Sequence, residues 1–177
     1  MKRTEPTLYI FGGLPATGKS TLATALAREF GAVYLRADTI EQAMRDSNIN
    51  LTGPEGYMVG YAVAAENLRL GMSVVSDCVN PFEITREAWR NAAVRSGARY
   101  VEIEVVCSDP VEHRLRVESR RSDICGLQLP DWQEVVGREY HDWNSKVLTI
   151  DTSHRSQGGS ISELFRLLEG IERGESA

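Results

Sequence analysis

The stretch Gly12-Gly13-Leu14-Pro15-Ala16-Thr17-Gly18-Lys19-Ser20-Thr21 follows directly on the apolar run Leu8-Tyr9-Ile10-Phe11. It holds the full spacing Gly13-x-x-x-x-Gly18-Lys19-Ser20, with a strand-like run before it and a helix-like run, Thr21–Phe30, after it. Glycines let the backbone curl until several N–H groups point into one hollow. The helix behind the loop turns its positive end toward the same hollow, which therefore suits a polyphosphate. Lys19 is long enough to reach the β- and γ-phosphates of a bound triphosphate, and the Ser20 hydroxyl suits Mg²⁺. The expected cradle is Gly13, Leu14, Pro15, Ala16, Thr17, Gly18, Lys19, Ser20 and Thr21, with ATP and Mg²⁺ as cofactors. A glycine-rich turn that binds nothing is the competing reading; the complete motif and its flanks weigh against it.

Strand and helix patterns alternate along the rest of the chain. Leu8–Gly12, Ala32–Leu35, Ser73–Ser76, Arg99–Cys107 and Lys146–Ile150 read as strands. Helices are expected over Thr21–Phe30, Asp38–Met44 and Glu55–Leu70, from Asn80-Pro81 as N-cap and first-turn proline to about Ser96, and from Asp109-Pro110 onward. Two more are expected around Asp131–His141 and at the end of the chain, where Ser160 and Glu163 form a capping box. Segments 46–56 and 122–130 are polar and turn-rich. Five short strands separated by helices require parallel pairing through right-handed crossovers, hence a three-layer α/β sandwich. Ligands of such sheets bind beyond the carboxyl ends of the strands. That rule gathers Gly13–Ser20, Asp38, Asp77 and Thr152 at one edge.

The 177 residues are expected to form one domain, 1–177, and 42% apolar with 25% charged residues is an ordinary globular balance. A net charge of −5 argues against a broad nucleic-acid surface. Cys78, Cys107 and Cys125 lack metal-ligand spacing and read as reduced thiols, which points to the cytoplasm. Lys2-Arg3 precedes too short an apolar run for a signal peptide, and no apolar run is long enough to span a membrane.

Phosphoryl transfer needs a phosphate cradle, a metal, a group that receives the acceptor's proton, and cations for the developing charge. Asp38, at a strand end, is either that base or the N-cap of its helix. Asp77 ends the next strand, where it holds Mg²⁺ or simply hydrogen-bonds the loop. Arg116 and Arg120 are four apart and expected on one helix face beside a lid at about 120–131, with Arg121 adjacent. Their competing role is a solvated face paired with Glu112 and Glu118. His113, His141 and His154 read as surface or helix-end residues, and Trp89, Trp132 and Trp143 as packing anchors. Arg36, Arg45, Tyr57, Tyr61 and Asn80 are equally placed to face an acceptor or to be structural.

GLPATGKST, YLRADTIEQAM and VVSDCVNPFEITREAW resemble the small P-loop kinases that include polynucleotide 5′-kinases, chloramphenicol phosphotransferases and zeta toxins. The resemblance covers almost the whole chain. It implies a P-loop NTPase fold with strand order 2-3-1-4-5 and a lid, and an acceptor side built from a mobile segment at about 39–71. It makes Asp38 the general base, puts Asp77 at the metal and acceptor side, and has Arg116, Arg120 and Arg121 grip the donor phosphates. SRRSDICGLQLPDW is similar to the lid and following helix of this group, and Asp151-Thr152-Ser153 to the segment near the adenine, so Thr152 is a donor contact. Two departures bear on the acceptor. Polynucleotide kinases carry a basic residue shortly after the base, where this chain has Ile40-Glu41-Gln42, and the sequence shows no appended phosphatase or ligase domain. Both tilt the expected acceptor toward the hydroxyl of a small, neutral or polar molecule. A polynucleotide 5′-hydroxyl is the alternative, and a non-catalytic ATP-binding switch the second.

Overall fold

The computed structural model describes residues 5–173, so Lys2-Arg3 lies outside the described residues. Strand β1 (Thr7–Gly12) is buried along its whole length, as a strand at the middle of a parallel sheet covered on both faces must be. The other strands are β2 (Val33–Arg36), β3 (Val74–Asp77), β4 (Arg99–Val106) and β5 (Leu148–Asp151). They form one five-stranded sheet of order β2-β3-β1-β4-β5, parallel at every pairing, as expected.

Side chains alternate between the sheet's two faces with the period of two that a strand imposes. On one face Tyr9, Phe11, Val75 and Ile103 pack with Leu22 and Leu26 of α1 (Lys19–Phe30) and with Leu164 and Leu168 of α7 (Gln157–Glu172). On the other, Leu8, Ile10 and Val74 meet Ala64 and Leu68 of α3 (Glu55–Arg69) and Trp89 and Ala93 of α4 (Glu83–Arg95). The α2 helix (Ala37–Asp46) leaves the carboxyl end of β2 and α5 (Pro110–Ser119) that of β4, while α6 (Trp132–Val136) precedes β5. Strand register sets Arg36, Asp77 and Phe11 side by side, just before the glycine loop. Among the described residues no helix is long and apolar enough to cross a membrane.

Several helix ends differ from expectation, each for a local reason. Asn80 is not an N-cap: α4 starts after Phe82, and Asn80 is fully buried with φ 50°. Its amide donates to the Phe11 carbonyl at 2.6 Å and accepts from the Trp89 indole at 3.1 Å, so both polar ends are satisfied across the sheet. The last helix starts earlier, where the Ser156 hydroxyl accepts from Gly159 N at 3.1 Å, leaving Ser160 and Glu163 inside it. The α6 helix is short, capped by the Asp131–Glu134 box, and residues 137–147 form neither helix nor strand. Arg86 accounts for that stretch. Its fully buried guanidinium donates to the carbonyls of Asn80, Pro81, His141 and Asp142 and lies 4.1 Å from the Trp143 ring centroid. Trp143 in turn covers Gly12 so closely that a Cβ there would collide with the indole. The α5 helix stops at Ser119, and Arg120 is extended (ψ 151°), so Arg116 and Arg120 do not share a helix face.

Candidate active site

The donor end is a loop held in a shape that few side chains tolerate. Gly13 (φ 130°), Ala16 (φ 65°) and Gly18 (φ 101°) take left-handed backbone angles, and a Cβ on Gly13 would collide with the Val105 carbonyl of β4. Side chains fix the loop's carbonyls. Thr17 Oγ1 donates to Leu14 O at 3.0 Å, and His113 Nε2 of α5 lies 2.8 Å from Pro15 O. Thr152, just after β5, donates from Oγ1 to Thr17 O at 2.7 Å. Arg116 holds Thr152 through Nη1 to Oγ1 (2.7 Å) and Nη2 to the carbonyl (2.8 Å), and pairs with Glu112 at 2.6 Å. These bonds tie the loop's carbonyls down and hold it in its curled form.

Lys19 is buried and folds back to donate to Leu14 O at 2.8 Å. Burial lowers its pKa to about 8, against the opposing pull of Asp77 and Asp38, so both carboxylates are electrostatically close to the amine.

The acceptor end is assembled from distant segments. Asp77 is buried at the end of β3 and accepts from the Tyr34 hydroxyl at 2.7 Å; burial and then Asp77 raise the Tyr34 pKa. Asp38 lies in the first turn of α2 with 54% of its side chain exposed, and the N-cap position belongs to Arg36, so the capping reading of Asp38 fails. Arg36 Nε sits 3.8 Å from Asp38 and 4.0 Å from Asp77, while Nη1 donates to both oxygens of Asp123 at 2.9 and 2.8 Å. Arg36 Nε and the Nε and Nη2 of Arg120 are buried without a hydrogen-bond partner. Burial lowers the Arg120 pKa, Asp38 opposes it, and Arg36 and Arg138 add repulsion, so three guanidinium groups share one field beside Asp38.

A cleft of about 920 Å³ joins the two ends. Pro15, Ala16, Gly18, Lys19, Ser20 and Thr21 line it, as do Asp38, Asp77, Arg116, Arg120, Arg121 and Thr152. Gly13, Leu14 and Thr17 shape the loop without lining the cleft. Of segment 39–71, Glu41, Gln42 and Arg45 line it, all from α2. Tyr57 and Tyr61 instead bond Asn80 N and Thr85 O, which makes them structural. On the lid side, Gly126 (φ 80°) lies close enough that a Cβ would come within 2.9 Å of Gln42 Nε2. Among the described residues no cluster of three or more His, Cys, Asp or Glu offers a metal cage. Magnesium usually takes one or two protein oxygens and completes its shell with phosphates and water, so Ser20 and Asp77 on the cleft wall fit it.

The AAA_33 family, described as an AAA domain, matches residues 8–127. The chain belongs to that family of small P-loop kinases. An adenylyl-sulfate kinase of Shewanella sp. (strain MR-4) is 27% identical to it over 192 residues, which cover 97% of this chain and 86% of that protein. The gluconokinase of Sinorhizobium meliloti 1021 superposes with a TM-score of 0.64 at 18% identity, covering 97% of this chain and 99% of the other. The Mycobacterium tuberculosis APS kinase CysC, solved with AMPPNP and APS, gives a TM-score of 0.64 at 18% identity, covering 93% and 98%. These two structures share the fold.

In this AAA_33 chain three residues that shape the site, two of them on the cleft wall, are not among those the sequence pointed to. His113 is buried on the phosphate loop, edge-on to Trp132 at 5.4 Å, rather than on the surface. Asp123 closes onto Arg36, and Arg138 joins the arginine group beside Asp38. None carries a local signal, because each partner lies far away in sequence.

Proposed function

We propose that this chain is an ATP-dependent kinase that moves the γ-phosphoryl group to a hydroxyl of a small molecule, with Asp38 as general base. The observation that carries the reading is the shared cleft: Asp38 is exposed on its wall and electrostatically close to Lys19 of the phosphate loop. A relative named for adenylyl sulfate and a similar fold named for gluconate favour a small-molecule acceptor, and the AMPPNP bound to the CysC protein favours ATP as donor.

On this reading the loop N–H groups and Lys19 bind the triphosphate, Lys19 leaving Leu14 O to do so. Ser20 and Asp77 would hold Mg²⁺, which neutralises charge on the β- and γ-oxygens when bound. Asp38 accepts the hydroxyl proton as the new O–P bond forms and the bond to ADP breaks. Arg120, whose Nε and Nη2 lack partners, meets the charge on the transferred group, with Arg121 beside it. Arg116 acts one step back, holding Thr152 and through it the loop.

The test is ADP formation from ATP·Mg²⁺ with sugars, sugar acids, nucleosides, aminoglycosides, chloramphenicol-like alcohols and a 5′-hydroxyl oligonucleotide, run beside Asp38→Asn. Stimulation by a small alcohol, lost in the variant while ATP still binds, is the expected result. Stimulation by the oligonucleotide alone would replace the small acceptor with a polynucleotide end. Tight ATP binding without transfer to any acceptor would leave only a nucleotide switch.

A further inference from the structure

Arg36 ends β2, the edge strand two places away from β1 and its phosphate loop. A group bound there would lie beside Asp38 and the acceptor rather than along the triphosphate. The guanidinium is already shaped for such a group. Nη1 reaches both oxygens of Asp123, and the buried Nε has no hydrogen-bond partner although Asp38 and Asp77 approach to 3.8 and 4.0 Å. Asp123 itself belongs to the lid segment, and its side chain is 76% exposed. A pair this exposed on one side contributes little to folding, so its geometry calls for another reason. Arg120 and Arg138 add their positive charges to that of Arg36 against the nearby Asp38 and Asp77 carboxylates, and the acidic Glu41 is already paired with Arg45 at 3.1 Å.

We propose that the phosphoryl acceptor carries, besides its hydroxyl, an oxyanion (carboxylate, sulfate or phosphate) that binds Arg36 and displaces Asp123 from it. Asp123 is an internal carboxylate holding the subsite until the substrate's own acid group arrives, and Arg36 is the residue that selects acidic acceptors. A planar guanidinium suits this exchange, since it offers two oxygens of any of these groups the same forked donors. The hydroxyl part of this statement rests on the kinase reading; the oxyanion subsite does not. It also turns the acceptor away from the neutral alcohol to which the sequence tilted.

Binding is measured by titration calorimetry on the chain loaded with AMPPNP·Mg²⁺, so no turnover is needed. The probes are D-gluconate, D-glucose 6-phosphate, inorganic sulfate and, as the neutral counterpart, D-glucose. At least one oxyanion probe should bind tenfold or more tightly than D-glucose, and which one does distinguishes carboxylate, phosphate and sulfate. Arg36→Gln should weaken that probe by roughly 10- to 100-fold, the range expected for charge-assisted hydrogen bonds. Asp123→Asn should tighten it several-fold by removing the internal competitor. Opposite shifts from the two variants cannot both come from misfolding, and Asp123 is exposed enough to be replaced safely. Equal affinity for charged and neutral probes, no binding by any probe, or anion affinity unmoved by Asp123→Asn would overturn the proposal. Anion binding that obeys both variants without any ADP formation would sustain the subsite and defeat the kinase reading instead.

Discussion

The two ends of the cleft are built on opposite principles. At the donor end, neighbouring residues do the work and long-range side chains merely brace them: Thr152, Thr17 and His113 hold loop carbonyls, and Arg116 holds Thr152. At the acceptor end, Arg36, Asp38, Asp77, Arg120 and Asp123 come from three separate segments, and three guanidinium nitrogens there are buried without partners. A cradle braced by the chain's own side chains suits a donor of constant shape. Unpartnered nitrogens beside an exposed carboxylate suit a group that the acceptor must bring with it.

The sharpest way to separate the ends is to disable one without touching the other. Asp38→Asn keeps the size and position of the side chain and removes its ability to take a proton. Transfer should fall by roughly 10²- to 10⁴-fold in kcat, the usual contribution of a general base, with nucleotide affinity unchanged. Steady-state kinetics beside AMPPNP titration reads both quantities. Equal loss of both would mean that the two ends are not separable.

Damage to the donor end should appear first as lost stability. At Gly13, alanine would adopt a φ of 130° and drive its Cβ into the Val105 carbonyl, a backbone atom of a central strand that cannot rotate away. A cost of roughly 3 kcal/mol is expected from strain and overpacking together, read as a lower midpoint in urea denaturation. Thr152→Val makes a milder break. It keeps the shape but removes the Oγ1 bonds to Thr17 O, to Val106 O and from Arg116. Nucleotide affinity should drop roughly 10- to 30-fold as the loop loosens, about 1–2 kcal/mol for hydrogen bonds including one to a charged group. The acceptor's KM should stay in place.

The same contrast explains what the sequence disclosed. Gly13 to Ser20 are contiguous, so their chemistry could be read without a fold. Asp38 and Asp77 became legible once alternating elements implied a parallel sheet, because strand ends collect at one edge. What stayed hidden depends on contacts between distant residues. His113 and Pro15 are 98 positions apart, Arg36 and Asp123 87, and Arg86 and His141 55. No local periodicity encodes those pairings. Asn80 misled for a related reason: Asn-Pro is an ordinary helix opening, and only the Phe11 carbonyl and the Trp89 indole show that the amide has other partners. Arg116 and Arg120 looked like one helix face because the stop at Ser119 has no glycine or proline to announce it.

The mildest test of the comparison is pH. Burial holds free Lys19 at about 8, well below its ordinary value of 10.5, with Asp77 and Asp38 opposing the shift. A bound triphosphate favours the ammonium and must raise that pKa, so above pH 8 binding takes up a proton. Affinity for AMPPNP should therefore be flat below pH 8 and weaken as pH rises through it, by at most about tenfold per pH unit until the pKa of the bound form is passed. Lys19→Met should bind weakly at every pH and lose this slope, because no amine remains to titrate. The direction of the shift ties the slope to the donor end: a lysine held mainly by carboxylate partners would titrate above its ordinary value and show no such decline near pH 8. If the slope persists in Lys19→Met, another group sets the donor end's pH dependence, and the two ends are more closely coupled than their construction suggests.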